Sequence, residues 1–172
     1  MNENLPTRRQ MITGAVVALG SLAVGSKILA QTPASRPEPA KPGDVRTSLH
    51  QEVALPANPQ RIYEALLDAK QFAVFSGLPA EIDPKVGGAF SMFHGQIVGR
   101  NVELVPNQRI VQAWRPTHWD AGFYSIVQFE LKPQGAATLV VLDHHGFPEG
   151  EFNSLTWGWN NHYWEGLKKY FA

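Results

Sequence analysis

The 172-residue sequence predicts an α+β domain built on an antiparallel sheet. Three observations point there. Helical periodicity is confined to a short region after the first strand and to one long stretch at the end of the chain. Between them, five strand-length apolar runs are separated by Gly, Pro and Asn. No strand–helix–strand alternation occurs, which removes a doubly wound parallel sheet.

The elements follow in order. Residues 45–55 alternate loosely and stop at Pro56, as a strand does. Asn58 can cap a helix and Pro59 suits its first turn. Ile62 with Leu66, and Tyr63 with Leu67, then recur at helical spacing, so a helix is expected over 58–68. A shorter one is expected over 69–76, stopped by Gly77-Leu78-Pro79. Gly87-Gly88 turns the chain into a strand over 89–94, and Gly95 breaks to a second over 96–105, closed by Pro106-Asn107. Residues 109–115 form another strand, ended by Pro116. The runs 123–131 and 138–144 pair around 132–137, which holds Pro133 and Gly135. Over 154–171, Leu155, Trp159, Tyr163, Leu167 and Tyr170 fall on one helical face. Gly158 and Gly166 weaken that helix but leave room for close packing.

Residues 1–30 read as an export signal, outside the fold. Arg8-Arg9 precede an uncharged apolar stretch over 12–25, and a small-residue site ends at Ala30. Paired arginines ahead of a mildly apolar, Gly-containing stretch fit a twin-arginine signal, with Lys27 near the cut. The stretch is short of the ~20 residues that span a bilayer comfortably, so no stable membrane span is expected after cleavage. The expected location is periplasmic or extracellular. Residues 31–43 hold four prolines and no large apolar side chain, a semi-extended linker. The folded unit is then 44–172.

Composition narrows the function classes. Fifteen Lys and Arg balance fifteen Asp and Glu. Loss of Arg8, Arg9, Lys27 and Glu3 with the leader leaves twelve basic and fourteen acidic side chains. That balance speaks against nucleic acid as a partner. With no cysteine, disulfides, thiolate nucleophiles and Cys-ligated metals are excluded.

One set of residues is familiar in order and spacing. Residues 87–95 (Gly-Gly-Ala-Phe-Ser-Met-Phe-His-Gly) lead to Gly99-Arg100-Asn101 and Val105-Pro106. Arg109-Ile110-Val111-Gln112-Ala113-Trp114-Arg115 and Tyr124–Val127 follow. The chain closes on Gly146-Phe147-Pro148, Gly158-Trp159, Tyr163-Trp164 and Leu167–Tyr170. Over nearly all of 45–172 this resembles the heat-shock-protein-90 ATPase activator homologue-like family, within the SRPBCC or START-like superfamily. The resemblance implies a helix-grip fold. In it a curved antiparallel sheet of six to seven strands wraps a long C-terminal helix, with two short helices after the first strand. It also implies a cavity between helix and sheet, used across the superfamily for hydrophobic molecules, and no fixed catalytic set.

The aromatic residues gathered after position 114 have two readings, plain core or the wall of an apolar pocket with a few polar handles. Trp114, Trp159 and Tyr163 are the ring candidates for ligand binding, with Tyr124 and His144 as handles. Trp157 and Trp164 fall on another helical face and mark either a partner surface or the pocket mouth. Six histidines show no HxH or HxxxH ligand spacing. Adjacent His144 and His145 point to opposite faces of a strand. No metal or other cofactor is expected, and a cross-strand pair such as His94 with His144 is the remaining route to one. No G-x-S-x-G elbow or phosphate loop occurs. His144, near Asp143, is the leading candidate for a general base.

The reading that follows is an exported, non-enzymatic domain that binds a small hydrophobic molecule. One alternative is an enzyme on the same scaffold acting on an aromatic or polyketide-like substrate. The other is a chaperone-cofactor or protein-interaction module. During export the partner would be the twin-arginine translocation machinery.

Overall fold

The structure, a computed structural model, describes residues 43–172. The leader and nearly all of the linker read from the sequence lie outside the described residues.

The observed order is β1 (Ser48–Leu55), α1 (Pro59–Leu67), α2 (Ala69–Ser76), β2 (Glu81–Ile82), β3 (Ala89–Met92), β4 (Ile97–Val105), β5 (Arg109–Pro116), β6 (Ser125–Gln134) and β7 (Ala137–His145). The C-terminal helix follows in three parts: α3 (Phe152–Gly158), a π-helical turn (Trp159–Trp164) and α4 (Glu165–Phe171). All seven strands form one antiparallel sheet in the order β1-β7-β6-β5-β4-β3-β2. The expected α+β class is therefore observed. β2 carries too few residues to give a periodic signal and is new to the structure.

Local chemistry explains the two short helices. The Asn58 side chain accepts from the Arg61 N–H at 2.9 Å, and Pro59 fills the first helical position, where no N–H is needed. Asp68 ends α1 and caps α2 by accepting from the Gln71 N–H at 2.8 Å. Gly77, at φ 75°, closes α2 in the left-handed conformation that glycine adopts without a steric cost.

Alternation along each strand divides the sheet into two faces. Leu49, Ile110, Val127, Phe129, Val140 and Leu142 are buried and join one core with Trp159, Trp164 and Leu167 of the helix. His50, Ile126 and His145 are exposed on the other face. At the far end of the helix, α4 lies against α2. A Cβ on Gly166 would come within 2.3 Å of the Phe75 carbonyl oxygen, so only glycine permits that approach.

Two departures from the expected elements matter for the site. The strand expected over 89–94 stops at Met92, because Phe93 and His94 turn left-handed at φ 53° and 57° ahead of Gly95. L-residues pay about 1–2 kcal/mol for that conformation. The C-terminal helix starts at Phe152 and widens at 159–164, where the Glu165 N–H reaches back to the Asn160 carbonyl. The extra residue in that turn carries Trp164 round to the sheet side. Trp164 is buried, and its indole N–H donates to Gln51 Oε1 on β1. It is therefore not a partner surface.

Candidate functional site

Between the helix and the β3–β5 end of the sheet lies a cavity of about 550 Å³. Its deep wall is aromatic and aliphatic. Phe93, Trp114, Leu155, Trp159 and Tyr163 line it and are buried. Its rim is polar and exposed: Gln96, Thr117, His118, Ser154 and His162 line it there, with Glu151 half-buried beside them. Gly158 also lines the cavity, and a Cβ built on it would meet nothing within 4 Å. An apolar interior with a few polar groups at one end is the usual composition of a small-molecule site.

Each wall element is placed by its local structure. Trp114 is on the inward face of β5, in a strand whose buried positions alternate from Ile110 to Pro116. Its ring stacks on Trp159 with centroids 4.9 Å apart and planes 14° off parallel. Trp159 in turn stacks on Trp164 at 6.0 Å, a contact made by the π-helical turn. The Tyr163 ring lies 4.4 Å from Trp159, and its hydroxyl donates to Met92 Sδ at 3.4 Å. Complete burial pushes the Tyr163 phenol well above its ordinary range, so it stays neutral. The left-handed turn brings Phe93 to within 5.4 Å of Tyr163 and 5.8 Å of His162. His162 also packs edge-on to Trp157 at 4.9 Å. Trp157 lines the cavity beside these rings, one of the two places its sequence position allowed.

His144 lies behind the wall, fully buried and outside the cavity lining. The Trp159 N–H donates to His144 Nδ1 at 3.2 Å. Nδ1 is therefore the bare nitrogen and Nε2 carries the proton. That Nε2–H donates to Ser125 Oγ at 2.7 Å, and the Ser125 hydroxyl donates to the Trp114 carbonyl at 3.1 Å. The run of bonds is closed, with every polar atom of His144 and Ser125 used. Burial, with a smaller push from His145, lowers the His144 pKa to about 3. A ring with both nitrogens engaged and no access to the cavity has no free site to take a proton from a ligand.

Of the five ligand-binding candidates, the structure brings Trp114, Trp159 and Tyr163 together on the cavity wall. It sets His144 behind them. Tyr124 is exposed on the other side of the sheet, under the Arg115 guanidinium at 5.8 Å from its ring centre. His94, exposed in its turn, and buried His144 do not meet. Among the described residues, no group of three or more His, Asp or Glu side chains is placed to hold a metal ion. No described helix is long and apolar enough to cross a membrane.

The rim pair was not anticipated. His118 Nε2 stands 3.4 Å from Glu151 Oε1. Glu151 sits at the cap position of α3 yet makes no capping hydrogen bond. The indole N–H of Trp114 is buried with no partner among the described residues, as are the Trp119 N–H and Arg115 Nε. Such donors typically cost about 1–3 kcal/mol each.

A curved antiparallel sheet closed over a long helix, with an aromatic-walled space between them, is a helix-grip domain of the START-like class. Comparison with known proteins gives the family. The model of the Activator of Hsp90 ATPase homolog 1-like protein family matches residues 56–172, and the chain belongs to that family. An uncharacterized protein of Schizosaccharomyces pombe is 33% identical over 117 residues, covering 68% of this chain and 34% of that one. The human activator of 90 kDa heat shock protein ATPase homolog 1 is 27% identical over 115 residues, covering 67% and 34%. The chain thus spans about a third of the length of these curated relatives. The crystal structure of an HSP90 activator from Plasmodium falciparum superposes with a TM-score of 0.69 at 27% identity, over 72% of this chain and 95% of that one.

Proposed function

We propose that this chain is a non-enzymatic binding protein that holds a small, mainly hydrophobic molecule between its C-terminal helix and its sheet. The observation that carries the reading is the cavity of about 550 Å³ with its buried aromatic wall. Covering apolar ligand surface there is worth about 25 cal/mol per Å². The engagement of both His144 nitrogens supports a binding role over the enzyme alternative, since it removes the leading base. Native mass spectrometry of the purified chain, with extraction of any adduct, tests the reading. A co-purifying apolar adduct that is lost in Trp159→Leu is expected. A clean unliganded mass, with no binding of aromatic probes, overturns it.

The same reading places the protein outside the cytoplasm. Arg8 and Arg9 ahead of the uncharged stretch would direct the folded chain to the twin-arginine machinery, with cleavage after Ala30. Replacing both arginines by lysine should leave the chain in the cytoplasm at full length. A mature chain beginning at residue 31 in that variant would count against this route.

A second reading, a protein-interaction module, is favoured by a different observation. Phe123, Tyr124 and Ile126 are all exposed at the start of β6, beside Arg115. The human relative is named as an activator of 90 kDa heat shock protein ATPase, and the Plasmodium falciparum protein as an HSP90 activator. Substituting Phe123 and Ile126 by Ser should leave ligand binding intact, and would abolish partner capture only if this second reading holds.

A further inference from the structure

The cavity is electrostatically one-sided. Among the described residues neither Lys nor Arg lines it, and Glu151 is the only carboxylate that does. Arg46 lies against the ring of Phe152, the residue after Glu151, but its charge is already closed by Asp44 in a two-bond pair at 2.9 and 2.7 Å. Glu151 itself is half-buried and unspent on the helix it begins; its neighbour at 3.4 Å is His118. The same cavity is lined by five aromatic side chains: Phe93, Trp114, Trp157, Trp159 and Tyr163. Aromatic faces attract cations through their quadrupoles, most strongly where water is excluded. A partly desolvated carboxylate adds to that attraction and repels an anion.

Resting on the binding reading above, we infer that the site selects for a positively charged ligand: an amine or quaternary ammonium carried on an apolar, ring-containing body. The body occupies the buried aromatic wall, and the cationic end stays at the rim beside Glu151. Fatty acids and other carboxylates are disfavoured, because neither Lys nor Arg lines the cavity among the described residues and the Glu151 carboxylate opposes them.

Three probes of nearly equal shape separate the possibilities: 1-naphthylmethylamine, 1-naphthylmethanol and 1-naphthoate. Each is titrated calorimetrically into the full chain and its Glu151→Gln variant at pH 7.5. The amine is expected to bind at least about tenfold more tightly than the alcohol, with naphthoate weakest. Glu151→Gln should bring the amine to within about threefold of the alcohol while leaving the alcohol unchanged. Trp157→Leu, at the rim, should weaken the amine more than the alcohol. If the alcohol binds and the amine holds no advantage, or if the advantage survives Glu151→Gln, charge selection is wrong and the binding reading stands. If no probe binds, both fall together.

Discussion

The indole N–H of Trp159 donates to Nδ1 of His144 across 3.2 Å, from the helix to the sheet. That one bond fixes the imidazole as the neutral Nε2–H form and ties the cavity wall to β7. Burial of the same ring makes folding sensitive to acid. The folded pKa lies at about 3, below the ordinary histidine value, so in acid the unfolded chain binds a proton that the folded chain refuses. Stability is therefore intact above the unfolded pKa and falls as pH drops toward the folded one. Between pH 6.5 and 4.5 the loss should be roughly 2–3 kcal/mol. His50 acts with the opposite sign, because Asp143 at 2.7 Å raises its pKa. It is present in both chains to be compared. Urea denaturation across this range, for the native chain and for His144→Gln, isolates the effect as a difference in slope. Equal slopes would show that His144 does not titrate this way.

Ser125 is the acceptor that makes a buried, protonated Nε2 tolerable. Ser125→Ala removes the oxygen and leaves an N–H with no partner, at a cost of about 1–3 kcal/mol. Denaturant midpoints measure it. An unchanged midpoint would mean that the proton is not on Nε2.

Gly158 is the point where the cavity can be filled without backbone strain, since its helical φ of −59° suits any residue. Gly158→Leu should hold or raise stability by up to about 1 kcal/mol, through helix propensity alone. It should weaken 1-naphthylmethanol binding at least about tenfold by occupying the space. Calorimetry beside a thermal melt separates the two effects. Full binding in a stable Gly158→Leu chain would place the ligand elsewhere.

His94 is held left-handed at φ 57° on an exposed turn. Glycine has no steric penalty there, and His94→Gly should stabilise the chain by about 1 kcal/mol. Phe93, with the same sign of φ, keeps its ring on the cavity wall and should not be changed in this test. A loss of stability measured in urea would mean that the turn imposes no strain at His94.

Most of the scaffold was legible because it is written in local chemistry. Asn58-Pro59 and Gly77 mark helix ends through capping and left-handed geometry, and both act as the sequence implied. Gly166 was read as room for close packing, and α2 occupies that room. Three aromatic candidates reached the cavity wall because strand parity and helical spacing both pointed them inward. Tyr124 did not, although parity carried the answer. Ser125, Val127, Phe129 and Leu131 face the core, so the even positions face away. The turn at Phe93 and His94 was hidden, because both residues are acceptable in a strand and only tertiary contacts force φ positive. Glu151 was hidden for a different reason. A carboxylate just before a helix reads as a cap, and its turn toward His118 is a three-dimensional fact.

The π-helical turn holds one residue more than an α-helix would need to pass from Leu155 to Leu167. The helix can therefore shorten at this turn but not lengthen. Asn160 and Asn161 are exposed within it. An α-helix turns about 100° per residue, and removal of the surplus residue relaxes the wide turn to a regular α-helix with Leu167 and Phe171 still on the core and Gly166 still against Phe75. An insertion there adds about another 100° and should swing that face off the core. A helix that accepts the loss of one residue at this point and rejects the gain of one is what a deletion and insertion scan should reveal.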